Sequence, residues 1–132
     1  MIGLDTNVIL RYVVRDDPQQ YAQSARLIDK QLTSEEPGFI SLVVTTEIVW
    51  NLMSNYEFSR EDVIRILERL LSIESLTLQN ASQISEALAA MRKESVSFPD
   101  ALIRALSFQE DCLTTYTFDR KASRFAGFTL LS

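Results

Sequence analysis

The side chains best suited to chemistry in this sequence are four carboxylates, Asp5, Glu47, Asp100 and Asp119. The chain has no histidine, which excludes Ser-His-Asp and Cys-His nucleophilic catalysis, histidine acid–base chemistry and nearly all zinc enzymes. Carboxylate oxygens are the ligands that hard cations such as Mg²⁺ and Mn²⁺ prefer, with waters and substrate phosphates completing the coordination. The four acids together predict a divalent-metal site.

Each of the four acids falls close to the end of a predicted strand or in a neighbouring helix. Asp5 directly follows the first short apolar run, and Asp119 follows the fourth. Glu47 lies early in the helix after the second strand, and Asp100 lies in the first turn of the helix before the fourth. Because ligands of open parallel sheets bind beyond the carboxyl ends of the strands, we expect these side chains to converge in one acidic cavity.

The elements that must position the acids are short strands alternating with longer helices. This alternation predicts an α/β fold with a mainly parallel sheet, with strands near 2–4, 39–40, 76–78, 112–117 and 128–131. The chain has 132 residues, 46% of them hydrophobic, and no linker or internal repeat. These properties predict a single domain over residues 1–132.

Three of the acids also have a purely structural interpretation. Aspartate is a favoured N-cap residue, so Asp5 and Asp119 are also expected to cap the helices that follow them. Asp100 stands in Ser97-Phe98-Pro99-Asp100, which is typical of a capping box with proline in the first turn. A metal site is therefore predicted by the four acids together and by none of these three alone.

Glu47 is the most informative acid because of its expected position on a helix. At about 100° per residue, its side chain falls between Val43 and Val44 and close to Trp50, on the face expected to be buried. A buried charge is costly unless it is paired or binds a metal. The alternative is an exposed helix glutamate.

Four short motifs resemble, in order and approximate spacing, those of PIN-domain ribonucleases, and in particular of VapC-type toxins of toxin–antitoxin pairs. They are Leu4-Asp5-Thr6-Asn7-Val8, Thr46-Glu47-Ile48-Val49-Trp50, Pro99-Asp100-Ala101-Leu102-Ile103 and Thr117-Phe118-Asp119-Arg120-Lys121. The resemblance covers essentially the whole chain. It implies a PIN-like domain with a short, mainly parallel five-stranded sheet in the order 3-2-1-4-5, flanked by helices.

The resemblance also implies roles for individual residues. The four acids would hold Mg²⁺ or Mn²⁺ and catalyse endonucleolytic cleavage of RNA. Thr6, Asn7 and Thr117 would orient an acid or a water molecule. Relatives often carry another acid three residues before the third one, where this chain has Ser97. The resemblance is therefore compatible with either one or two bound metal ions.

The mechanism expected from these residues is attack by water. Without imidazole, activation of a 2′-hydroxyl by a general base is unattractive, whereas a bound cation lowers the pKa of water by many units. In-line attack on phosphorus then leaves a 5′-phosphate and a 3′-hydroxyl. Candidate contacts to the RNA backbone are basic: Arg11, Arg15, Arg104, Arg120, Lys121 and Arg124. Alternatively, Arg104 is an i,i+4 partner of Asp100. The other basic residues are alternatively solvated surface residues.

Charge and cysteine content restrict the class of protein further. The net charge of −5 argues against a DNA-coating protein, but not against a nuclease whose acids are bridged to phosphate by metal. The single cysteine, Cys112, is expected to be a small buried residue of the fourth strand, and a reducing compartment fits its isolation. With neither a signal peptide nor a membrane span expected, the prediction is a cytoplasmic protein.

Protein partners are suggested by an aromatic and apolar cluster near the end of the third helix. One small domain is not expected to bury all of its members, Trp50, Leu52, Met53, Tyr56 and Phe58. The resemblance implies a homodimer and a small cognate antitoxin whose tail blocks the acidic site. A cationic tail residue would suit that site.

Two other functional classes remain as alternatives. A phospho-receiver domain is also α/β and binds Mg²⁺, but it needs an acid pair after the first strand and an acceptor aspartate after the third. Here Asp5 stands alone and residues 76–80 contain no aspartate. A catalytically silent PIN fold that acts as a binding module is the other alternative, and a cleavage assay distinguishes it.

Overall fold

Strands and helices alternate along the chain as the hydrophobic pattern predicts, with six α-helices and five strands. The computed structural model describes residues 1–132. The chain forms two compact units, residues 1–81 and residues 82–132. The longest helices have 13 residues, and none combines the length and apolar character needed to cross a bilayer.

The first unit contains a three-stranded parallel sheet with β2 at its centre. Gly3 of β1 is paired with Phe39 of β2, which is paired with Thr77 of β3. The α2 helix continues directly into a π-helical turn over Leu27–Gln31. The elements are β1 (Ile2–Gly3), α1 (Thr6–Val14), α2 (Pro18–Arg26), β2 (Gly38–Ile40), α3 (Leu42–Ser54), α4 (Arg60–Ser72) and β3 (Leu76–Leu78).

Short polar side chains begin the helices of this unit. Asp17 caps α2, Ser41 caps α3 and Ser59 caps α4, each accepting a hydrogen bond from a backbone amide three residues later. Such caps satisfy amides that have no partner within the helix. They fix where each helix begins, and therefore which residues lie in its first turns.

The core of the first unit lies between its sheet and its helices. Its fully buried side chains include Ile9, Ile40, Ile48, Leu52 and Leu67. Gly38 has a packing role, because a Cβ at this position would lie 2.6 Å from Leu4 Cδ1 and 2.8 Å from Leu32 Cδ1. The glycine thus makes room for the leucine that immediately precedes Asp5.

The second unit consists of two helices followed by a two-stranded parallel sheet. Thr115 is paired with Phe128, and Thr117 is paired with Leu130. A 3₁₀ turn, Ala122–Arg124, lies within the connection between the strands. The elements are α5 (Ala81–Lys93, beginning at the last residue of the first unit), α6 (Phe98–Gln109), β4 (Thr115–Thr117) and β5 (Phe128–Leu130).

The expected α/β fold with parallel strands is confirmed, with one difference in how the strands are grouped. The predicted order 3-2-1-4-5 occurs as two sheets, 3-2-1 and 4-5, rather than as one five-stranded sheet. The β1 strand has only two residues, Ile2 and Gly3, both exposed, and so it offers few ladder hydrogen bonds.

The prediction that Cys112 is buried in the fourth strand is wrong, because this residue is exposed and precedes β4. Its amide donates to Ser107 O at 3.0 Å, and Asp111 adopts a left-handed conformation with φ 60°. These features are typical of a helix C-terminus. The segment after α6 therefore forms a helix-ending turn, and the strand begins only at Thr115.

Candidate functional site

In the first unit, Thr6 connects two of the predicted acids. Asp5 is the N-cap of α1, with φ −83° and ψ 164°, and its Oδ1 accepts a hydrogen bond from Thr6 N at 2.7 Å. The Thr6 hydroxyl donates to Glu47 Oε1 at 3.1 Å. Because the Thr6 side chain is buried and held at the start of a helix, it holds one oxygen of each carboxylate in place.

The prediction that Glu47 lies on the buried face of its helix is wrong. Its side chain is exposed, as are its face neighbours Val43 at 68% and Trp50 at 61%. The buried face of α3 contains Thr45, Ile48, Val49 and Leu52 instead. Apolar residues occur on both faces of this helix, so periodicity did not distinguish them. Exposure leaves the carboxylate accessible to a cation or a substrate.

In the second unit, Asp100 lies in the first turn of α6 with a free carboxylate. Ser97 is the N-cap, and its Oγ accepts a hydrogen bond from Asp100 N at 3.3 Å. The reciprocal bond of a full capping box is not formed, since the Asp100 carboxylate has no hydrogen bond or ion pair. The serine performs the capping, and the acid is not used for it.

Asp119 lies just after β4 and caps the turn that follows. Its Oδ1 accepts hydrogen bonds from Lys121 N at 2.8 Å and from Ala122 N at 3.1 Å. Thr117 Oγ1 accepts a hydrogen bond from Asp119 N at 3.0 Å. Thr117 thus orients the backbone of Asp119, and the second carboxylate oxygen makes no hydrogen bond.

The donor set of these acids fits a hard divalent cation in its chemistry. All the ligands available are carboxylate oxygens, and Asp5 and Asp119 each use only Oδ1 for a backbone amide. Within either unit, no group of three or more aspartate, glutamate or cysteine side chains is arranged as around a metal ion. The first unit therefore contributes one connected pair, Asp5 and Glu47, and the second contributes Asp100 and Asp119.

Two of the candidate RNA-binding arginines make contacts within the chain. Arg11 donates to Gln20 and to the Tyr56 hydroxyl, and its Nη1 lies 3.6 Å from Asp16 Oδ1. The Arg15 guanidinium lies 4.6 Å from the centre of the Tyr21 ring. Asn7 is exposed and lines a shallow groove of about 280 Å³ together with Arg11 and Gln20. These residues form a polar rim along α1.

The other candidate cations divide into one paired arginine and a basic turn. The proposed pairing of Arg104 with Asp100 is wrong, since its guanidinium binds Glu94 through Nη2 at 2.7 Å and Nη1 at 3.3 Å. Contact with arginine lowers the pKa of Glu94 below its ordinary value. We use the name basic turn for Arg120, Lys121 and Arg124, whose side chains are exposed and unpaired.

Glu94 contributes to this region, although no motif or spacing in the sequence predicts it. Glu94 follows α5, and its partner Arg104 lies ten residues later within α6. No helical spacing relates the two residues, because the chain breaks between the helices. The only partner for Arg104 that the sequence indicated was Asp100, at i,i+4 spacing.

The sequence from residue 2 to residue 128 matches the model of the PIN domain family. The match spans both compact units and all four of the acidic positions. No curated protein matches the chain.

Proposed function

Because the chain belongs to the PIN domain family, whose members are generally nucleases, we propose that it is a metal-dependent endoribonuclease. We further propose that it is the VapC-type toxin of a toxin–antitoxin pair. The observation that supports the nuclease function best is the placement of the acids: Asp5 and Asp119 follow strands, and Asp100 and Glu47 lie in the first two turns of α6 and α3. There, small neighbouring groups fix one carboxylate oxygen or the backbone and leave other oxygens available.

PIN domains typically use divalent metal ions. We propose that the ion here is Mg²⁺ or Mn²⁺ and that the residues holding it are Asp5, Glu47, Asp100 and Asp119. When bound, it supplies Lewis-acid chemistry that makes water a stronger nucleophile at neutral pH and neutralises charge at phosphorus. The chain contains no imidazole for activating a 2′-hydroxyl. We therefore expect attack by water, with departure of the 3′-oxygen, to leave a 5′-phosphate and a 3′-hydroxyl.

The remaining residues of the motifs orient these acids. Thr6 fixes one oxygen of Glu47 through its hydroxyl and one oxygen of Asp5 through its amide. Thr117 fixes the backbone at Asp119. Asn7, exposed in the first turn of α1, is available to position a water molecule or the substrate.

RNA phosphates would be bound mainly by the basic turn. Its three side chains are exposed and follow directly after Asp119 in the sequence. Arg11 and Arg15 would contribute less, because their charges are already engaged within the chain. Arg104 would not contribute, because its guanidinium is held by Glu94. Neutralising the basic turn should weaken RNA binding and flatten its dependence on salt, and an unchanged slope would contradict phosphate contact.

A partner protein would bind the exposed face of α3. Val43, Trp50 and Met53 present apolar surface there, on the same helix as Glu47, while Leu52 is buried. We infer a homodimer and a small antitoxin whose cationic tail reaches the acids. Light scattering tests the dimer, and a strictly monomeric protein would contradict it. Inhibition of cleavage by the product of a neighbouring small gene tests the antitoxin.

Digestion of total cellular RNA with end mapping tests the central proposal. We expect cleavage that requires Mg²⁺ or Mn²⁺, stops in excess chelator and leaves 5′-phosphate ends. Activity that persists in chelator would refute metal dependence, and 2′,3′-cyclic phosphate ends would refute attack by water. RNA binding without cleavage at any metal concentration would favour the binding-module alternative.

A further inference from the structure

Arg104 connects three segments of the second unit. Its guanidinium forms a two-point ion pair with Glu94, which follows α5, and Nη1 also donates to Ala126 O at 2.9 Å. The side chain is only 19% exposed. An arginine held by a carboxylate and a backbone carbonyl has little freedom to move toward a phosphate, so its contacts indicate a local role.

The segment held by Arg104 is the end of the connection between β4 and β5. Gly127 has φ 90°, and a Cβ there would lie 2.8 Å from Arg104 Cδ. Gly127 O accepts a hydrogen bond from Thr115 N at 2.9 Å. The arginine stem therefore packs directly against a backbone position that only glycine suits, at the point where the connection returns to the sheet.

This connection, residues 118–127, contains Asp119 and the basic turn. Its first residues are fixed by Thr117 and its last by Arg104. Arg104 lies one helical turn after Asp100 on α6. One helix thus presents Asp100 and also holds the far end of the segment that contains Asp119.

We propose that Glu94 and Arg104 are a positioning pair that sets Asp119 relative to Asp100. This inference rests on the proposed function, in which both acids serve metal-dependent cleavage. The pair acts through the backbone at Ala126 and Gly127 and touches neither substrate nor metal. Lysine cannot replace the arginine, because an ammonium group lacks the planar fork that engages a carboxylate and a carbonyl at once.

Three substitutions perturb the same contact from different sides: Arg104→Lys keeps the charge, Glu94→Gln removes the ion pair, and Gly127→Ala intrudes on the arginine stem. Arg65→Lys is the matched control, since Arg65 forms exposed ion pairs with Glu61 and Asp62 on α4 of the first unit. The readouts are amide hydrogen exchange at Thr115 and Ala122, Mn²⁺ affinity by calorimetry, and kcat and KM for RNA.

We expect the protection factors of the Thr115 and Ala122 amides to fall about tenfold in each of the three variants, since local opening there becomes easier. Mn²⁺ affinity and kcat should each fall by about 10-fold to 100-fold, the usual effect of disturbing the support of a ligand, with KM unchanged. Arg65→Lys should change none of these. A change in KM alone would overturn the inference, because it would identify Arg104 as an RNA contact.

The exchange readout separates this inference from the proposed function. If the wild-type protein neither binds Mn²⁺ nor cleaves RNA, the proposed function fails, but the exchange data still test the positioning role. Normal protection at Thr115 and Ala122 in all three variants would overturn the positioning role whatever the activity. Global unfolding of one variant would leave the other two to decide.

Discussion

The two units present their acids in different ways. Asp5 and Glu47 of the first unit are joined by a single buried residue, Thr6, through one amide and one hydroxyl. No side chain joins Asp100 to Asp119 in the second unit. There, a capped helix presents the first acid, and a turn fixed at both ends presents the second.

This difference indicates what the acids of each unit depend on. Acids held by one hydroxyl depend on that hydroxyl and on the packing that buries it. Acids held by backbone elements depend on helix caps, turns and the contacts that fix a connection. Substitutions that remove one hydroxyl should therefore affect the first unit more than the second.

The largest effect is expected from removing one carboxylate charge in either unit. Asp5→Asn and Asp119→Asn should each lower kcat by about 10²–10³-fold, because the charge that holds the cation and the transition state is lost. Asparagine is also a good N-cap, so the fold should be preserved. Initial rates on RNA, with circular dichroism for folding, measure this. Glu110→Gln, an exposed acid outside the motifs, is the control.

If either asparagine variant cleaved RNA as fast as the wild-type protein, that acid would have only its capping role. A loss in one unit alone would restrict the catalytic site to the acids of that unit.

Removing a threonine hydroxyl should show the difference between the two units most clearly. Thr6→Val should lower kcat by about 10-fold to 100-fold, because Glu47 loses the hydrogen bond that orients it. Thr117→Val should have a smaller effect, since Asp119 keeps its bonds to the amides of the following turn. Steady-state kinetics measure both, and Thr6→Ser should restore activity. Equal losses would contradict the contrast between the units.

Thr45→Val is the matched control for that comparison. Thr45 is fully buried on the helix that bears Glu47, and its hydroxyl has no partner. Removing an unpaired buried hydroxyl should leave activity unchanged and raise the free energy of unfolding by about 1 kcal/mol.

Gly38→Ala should disturb the packing next to Asp5 and lower the stability of the protein. The new Cβ would lie 2.6 Å from Leu4 Cδ1, and overpacking of this kind costs about 1–3 kcal/mol of stability. Gly3→Ala is the control, since a Cβ there meets no atom within 4 Å. Urea denaturation measures both variants, and an unchanged midpoint for Gly38→Ala would show that the neighbouring leucines can move away.

The smallest effects concern the pH dependence of stability, which differs in sign between the units. In the first, burial and a hydrogen bond to Asp29 raise the pKa of Tyr12 from 10.0 to about 12. This stabilisation is complete below pH 10 and is lost as the pH rises through 12. In the second, the lowered pKa of Glu94 gives stabilisation that is present above the ordinary value and is lost on acidification.

Tyr12→Phe should therefore flatten the alkaline side of the stability profile, and Glu94→Gln the acid side. Thermal denaturation across pH measures both effects. A variant profile parallel to that of the wild-type protein would show that the residue contributes no pH dependence.

The fold class is predictable from the sequence because its signals are local. Helix starts at Asp5 and Ser97 follow from polar caps before apolar periodicity, and each is present. The sheet was harder to predict, because two exposed residues in β1 give little indication of which strands pair. The start of β4 was predicted three residues too early, at Cys112 instead of Thr115, because Leu113 and the threonines that follow it resemble a strand.

Residue types alone determined the chemistry available to this chain, namely an all-oxygen set of carboxylates without imidazole, because ligand preference belongs to the side chain itself. The tertiary structure determined which of these carboxylates are held by hydrogen bonds or ion pairs, and which residues hold them. The exposure of Glu47, its bond to Thr6 and the pairing of Arg104 with Glu94 depend on segments distant in sequence. Burial and hydrogen bonding arise from packing between such segments, and the local pattern of residue types along the chain does not indicate those contacts.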